Sequence, residues 1–164
     1  MPLLLKLDIA LLASSAVVSA SLLVVALGTG LNRAVNRWFT LFIAMVLTWT
    51  VTMLLVRLTL WFGTGSPLAL GEVAVYAYAF MGPFLLQFTA SYTGMDRRWP
   101  GALALAAIVV VGLFGIPLFG HRLFSDPRLL ANGTMVLSVT RGGVAASAVP
   151  LACMALSLDL FWVR

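Results

Sequence analysis

Apolar runs of about twenty residues or more, almost free of charge, recur from one end of this chain to the other. That is the length a helix needs to cross roughly 30 Å of hydrocarbon. Backbone donors and acceptors in such a medium must be satisfied within the segment, which leaves the α-helix as the natural form of each run. A soluble core is instead built from shorter apolar segments broken by polar faces. The charge inventory agrees. Of 164 residues only 9% are charged while 62% are hydrophobic, and a soluble domain carries roughly a quarter charged residues.

Five spans are predicted, about 7–28, 38–62, 68–91, 102–119 and 144–162. The chain therefore reads as an all-α, polytopic transmembrane helical bundle: residues 1–164 form one integral membrane domain, with no soluble domain. Lys6 followed by an apolar stretch superficially resembles a signal peptide. Asp8 breaks that pattern, and the run from Ile9 to Leu31 is too long for a signal core, so it is read as a retained first helix. Gly63 to Pro67 has turn composition. Gly82-Pro83 falls inside the third span, where a proline removes a backbone donor and a kink is expected. Pro150 lies inside the fifth. The long connection Gly120–Gly142 carries Asn132-Gly133 amid a moderately apolar stretch, which fits a small hairpin or an interfacial segment.

Lysine and arginine in short loops set membrane orientation. An outside N-terminus puts Arg33 and Arg37, Arg97 and Arg98, and Arg164 on the cytoplasmic side, against Lys6, Arg122, Arg128 and Arg141 opposite. Both tight loops fall on the first side, so the N-terminus is expected outside and the C-terminus in the cytoplasm, in a plasma (inner) membrane. Trp38, Trp61, Tyr92, Trp99 and Trp162 all lie at span ends, as an interfacial aromatic belt requires. The net charge of +5 is accounted for by these loops, and nucleic acid is not an expected partner.

Ionisable groups at hydrocarbon depth are costly, so each is a candidate site. Arg57 near the end of the second span and Glu72 near the start of the third form a candidate intramembrane pair. The alternative is that Arg57 snorkels to the headgroups and Glu72 merely begins a helix. Tyr76, Tyr78 and Gln87 lie on the kinked third span. Tyr76 and Gln87 are about three turns apart and share a face, either lining a pocket or bonding between helices. Asp159, near Arg164, reads as a solvated helix-end residue. Small residues crowd the first and fifth spans, which suits close helix packing.

Catalytic constellations are missing from the sequence. His121 is the only histidine and sits in a loop, and Cys153 is the only cysteine. No metal site, cofactor site or disulfide is therefore expected within the chain, and no enzyme activity. Nor is there the line of charges or the pair of interrupted spans that marks a transporter.

Two short segments carry a family likeness. After the first span comes Asn32-Arg33-Ala34-Val35-Asn36-Arg37-Trp38-Phe39, leading into a Trp-bearing second span; the third closes on Phe88-Thr89-Ala90-Ser91-Tyr92-Thr93-Gly94. This pattern resembles the N-terminal seven-transmembrane sensor region of bacterial histidine kinases and related diguanylate cyclases, over about residues 20–160. The motif residues are Asn32, Asn36, Arg37, Phe39, Tyr92, Thr93 and Gly94. The resemblance implies an outside N-terminus and a role in signal input. The sequence departs from the family in ending after five spans, with no kinase or cyclase domain and no phosphoacceptor histidine. The expectation is a non-catalytic, sensor-like membrane domain, truncated or continued beyond Arg164, in which helices repack around Pro83. The rival expectation is an accessory subunit of a respiratory or photosynthetic membrane complex. Lipids, other membrane subunits or a second copy would be its partners.

Overall fold

The computed structural model describes residues 3–64, 67–94, 98–114, 128–130, 135–136 and 141–162. They form five α-helices and one short ladder: α1 (Leu3–Gly28), α2 (Ala34–Phe62), α3 (Pro67–Tyr92), α4 (Arg98–Phe114), β1 (Arg128–Leu129), β2 (Met135–Val136) and α5 (Arg141–Trp162). The fold is an all-α bundle. Three of its helices, over Leu3–Gly28, Ala34–Phe62 and Ala69–Tyr92, are long and apolar enough to cross a membrane. The expected fourth span runs past the described residues at its far end, 115–119. His121, the loop residues Asp96 and Arg97, and Arg164 also lie outside them.

The helices start earlier than the apolar runs. α1 takes in Lys6 and Asp8, α2 takes in Asn36 and Arg37, and α4 opens on Arg98-Trp99-Pro100. Hydropathy marks where hydrocarbon begins, whereas the backbone ladder continues about one turn into the polar zone. Pro100 is tolerated because a first-turn residue has no intrahelical acceptor to lose. The predicted hairpin is present: β1 and β2 pair antiparallel, Arg128 with Val136 and Leu129 with Met135.

α3 is the hub. It packs on α2, α4 and α5, and its largest interface is with α2. α1 by contrast packs on α2. Its buried residues, Leu5, Leu12, Ser19 and Ala26, recur every seventh position and trace one narrow seam. Asp8, Ile9, Ala13, Ala16, Ala20 and Leu23 flank that seam half-buried, and much of the remaining face, including Leu11, Val17, Val24 and Val25, is exposed.

α3 and α5 run parallel, as the order of their contacts shows. Gly82 meets Pro150, Leu86 joins Cys153 in one apolar cluster, and Tyr92 meets Phe161 with ring centroids 6.0 Å apart. These contacts fix a register in which Gly82, Leu86, Thr89 and Thr93 face Pro150, Cys153, Ser157 and Leu160. All eight are buried. Their spacing alternates threes and fours on both helices, the pattern of a supercoiled seam, here lined mostly by small side chains.

The seam is tightest at its first layer. A Cβ built on Gly82 would lie 2.5 Å from Pro150 Cα and 2.6 Å from its carbonyl oxygen. Only glycine fits there without moving backbone. Gly71, on the same helix, has open space around it. Gly82→Ala is therefore expected to destabilise the bundle by about 1–3 kcal/mol, the usual cost of overpacking. Gly71→Ala should be stabilising by about 0.5–1 kcal/mol. Thermal unfolding of both variants in detergent checks the contrast.

Candidate functional site

Polar groups are gathered at two levels of the bundle. The first is the end where α1 begins. Asp8 lies about a turn and a half into α1, and Arg57 the same distance from the end of α2. Because the two helices are antiparallel, equal distances from those ends bring the side chains to one depth. Arg57 Nε donates to Asp8 Oδ2, closing an ion pair between α1 and α2. Arg57 Nη1 also donates to the Met53 carbonyl of its own helix, at 3.2 Å. The arginine side chain is 12% exposed and the aspartate 41%. The guanidinium is thus held inside the bundle while the carboxylate keeps contact with the surroundings.

This corrects the expected Arg57–Glu72 pair. Glu72 belongs to α3 and sits at a comparable depth, but on the wrong face. Phe84 and Phe88 are the α3 residues whose rings meet Trp38 and Phe39 of α2. At about 100° per residue, Glu72 lies roughly 120–160° round the helix from them. It therefore looks away from α2. Its near neighbour is Tyr76, one turn along α3. Asp8 was legible only as an interruption of a signal-like stretch. The depth match between two adjacent antiparallel helices is the signal that would have found it.

The second level is the middle of α3. Glu72, Tyr76, Pro83 and Gln87 fall on one side of the helix, and Gln87 identifies what that side faces. Its Nε2 donates to the Gly101 carbonyl at the start of α4, at 3.2 Å. Of the two expectations for Gln87, the interhelical bond is the one observed. Tyr76, Tyr78 and Glu72 are half-buried. Pro83 is fully buried, as is Pro150 across the seam. Each proline leaves the carbonyl four residues before it without its helical donor. Two weakened helical turns therefore press against each other where the backbones come closest.

The family-motif residues shape the opposite end. Asn36 Nδ2 donates to the Gly30 carbonyl, 2.9 Å, which ties the loop between α1 and α2 to the first turn of α2. Asn32 and Arg37 are exposed on the same turn. Phe39 packs on Phe88 with centroids 5.3 Å apart, and Phe88 on Tyr92 at 5.9 Å. Tyr92 then reaches Phe161 of α5, so one aromatic chain joins α2, α3 and α5. Thr93 closes α3 twice over, its N–H and its hydroxyl both reaching the Thr89 carbonyl at 2.9 Å. Gly94 follows at φ +63°, the left-handed position that ends a helix at least cost. Asp159 is exposed, as a solvated residue would be.

An apolar cleft of about 260 Å³ opens between α4 and α5, lined by Leu103, Ala106, Val110, Val149, Cys153 and Leu156 among others. It carries no polar group and offers no chemistry beyond its shape. No protein-family model, curated protein or solved structure matches the chain.

Arg57→Gln is expected to lower stability by about 1–3 kcal/mol, the range for a hydrogen bond to a charged group. A double-mutant cycle of Asp8→Asn with Arg57→Gln should show a coupling of about 1 kcal/mol, read from thermal unfolding. The same cycle with Glu72→Gln in place of Asp8→Asn should be additive.

Proposed function

We propose that this chain is a non-catalytic, sensor-like membrane domain in which a ligand or partner is registered by repacking of α3 against α5. The observation that carries this reading is the meeting of Gly82-Pro83 with Pro150, at the centre of the one helix that touches α2, α4 and α5. A backbone step at that point shifts three neighbours at once. Packed interfaces also tend to move between discrete arrangements rather than to deform smoothly. The likeness of the Asn32–Phe39 and Phe88–Gly94 segments to bacterial seven-helix sensor regions supports the same reading. In it the chain lies in the plasma membrane of a bacterium, with the N-terminus outside and the C-terminus in the cytoplasm. Asp8 and Arg57 then clamp the outer end, and the aromatic chain from Phe39 to Phe161 carries the displacement to the inner end.

A second reading, an accessory subunit of a larger membrane complex, is favoured by one feature. α1 has its seam with α2 along a single line and presents much of the rest of its apolar circumference outward, a surface that another membrane subunit or a second copy would cover as well as lipid does.

Spin labels at Val73 on α3 and Val144 on α5, both exposed, with Cys153→Ala to remove the native thiol, test the repacking. In bilayers the distance distribution should have two maxima, with their proportions changed by Pro83→Ala. A single narrow maximum unaffected by that substitution would overturn the sensor reading. Native mass spectrometry after mild extraction separates the rival: stoichiometric larger subunits would establish it, and the chain alone or as a homo-oligomer would reject it.

A further inference from the structure

One buried hydroxyl in the α3–α5 seam is left without a partner. Thr40, Thr50, Thr52, Thr93 and Ser157 are all buried, and each turns its hydroxyl back to the carbonyl four residues earlier. That local bond makes a threonine or serine tolerable in an apolar interior. Thr89 does not do this. Its side chain is fully buried, and its Oγ1 has no hydrogen-bond partner among the described residues. A hydroxyl removed from water and left unpaired is costly, more so where no water can reach it.

The register says what faces it. Thr89 is the third layer of the seam, opposite Ser157, between the layer of Leu86 with Cys153 and the layer of Thr93 with Leu160. Ser157 at present donates to its own Cys153 carbonyl at 2.7 Å. A serine hydroxyl has other staggered positions open to it and can donate from any of them. We infer that Thr89 and Ser157 form a two-position clasp. In the structure described here Ser157 is turned inward and Thr89 is empty. In the alternative, Ser157 leaves the Cys153 carbonyl and donates to Thr89 Oγ1, drawing α3 and α5 together one turn beyond the proline contact.

The exchange gives up the Ser157 bond to its own helix and in return gives the buried Thr89 oxygen a partner, so the two terms oppose each other and the exchange can be biased from elsewhere in the bundle. Polar layers in otherwise apolar seams commonly fix register between helices. This one would fix two. The inference goes beyond the sensor reading, because it rests on the seam alone and would hold equally in a subunit of a complex.

Methyl relaxation dispersion on threonine-labelled protein in nanodiscs tests it, since it reports exchange on the microsecond to millisecond scale. The Thr89 methyl should show dispersion, and Ser157→Ala should abolish it while Thr40 and Thr52 stay unchanged. A flat Thr89 profile, or dispersion that survives Ser157→Ala, would overturn the clasp. Two further measurements keep the result independent of a variant that fails to fold. Thr89→Val removes the unpaired hydroxyl at constant shape and should raise the melting temperature by about 2–4 °C; a fall would mean that the hydroxyl is already bonded. Thr89→Cys with Ser157→Cys, in a Cys153→Ala background, should form a disulfide on mild oxidation; failure to do so would place the two side chains apart.

Discussion

The bundle depends on how closely two backbones can approach at Gly82 and Pro150. Three helices are long and apolar enough to cross a membrane, and for helices in hydrocarbon, burying leucine against leucine gains little, so that association falls to close packing and to the few hydrogen bonds available. The absent Cβ of Gly82 lets α5 come within contact of the α3 backbone. From that layer the seam continues through small residues to the aromatic contact of Tyr92 with Phe161. The remaining interfaces are arranged around it: Gln87 ties α4 to α3, and Phe39 and Trp38 seat α2 on the other side of α3.

The sites follow from the same economy. Among the described residues, most buried hydroxyls find a partner locally, in the backbone of their own helix, and that of Thr89 finds none. Gln87 reaches across to a backbone carbonyl of α4, and Arg57 reaches across to α1 to meet a charge. The arginine does so where α1 has few other means of attachment, because a single line of contacts every seventh residue buries little of that helix. The pair is therefore less a catalytic feature than a fastening.

Helix number and the short ladder in the long connection were legible in the sequence because each has a local cause: a run of apolar residues in the one case, a turn-forming dipeptide between two short segments in the other. Helix starts were placed up to about a turn late, since apolar content reports the medium and not the hydrogen-bond ladder, whereas the far ends of α1, α2, α3 and α5 fall within a residue of where they were expected. The seam was invisible for a deeper reason. Where a helix is apolar all round, the periodic contrast between a buried and an exposed face disappears, and nothing sets Gly82, Leu86 and Thr89 apart from their neighbours until a partner helix is in place. Arg57 was recognised as costly but matched to Glu72 by sequence proximity, when depth and face together select Asp8.

The parallel pairing of α3 with α5 also orders the assembly of the chain. α1, α2 and α3 are joined by tight turns and can pair as they are made, whereas the seam joins residues 67 or 68 positions apart, so its closure waits until α5 has been synthesised. Until then the groove around Gly82, beside the backbone carbonyl that Pro83 leaves without its helical donor, has no α5 to fill it. The four-helix intermediate, α1 to α4, is thus the form in which that groove stands open, and Pro150 is the residue whose arrival closes it.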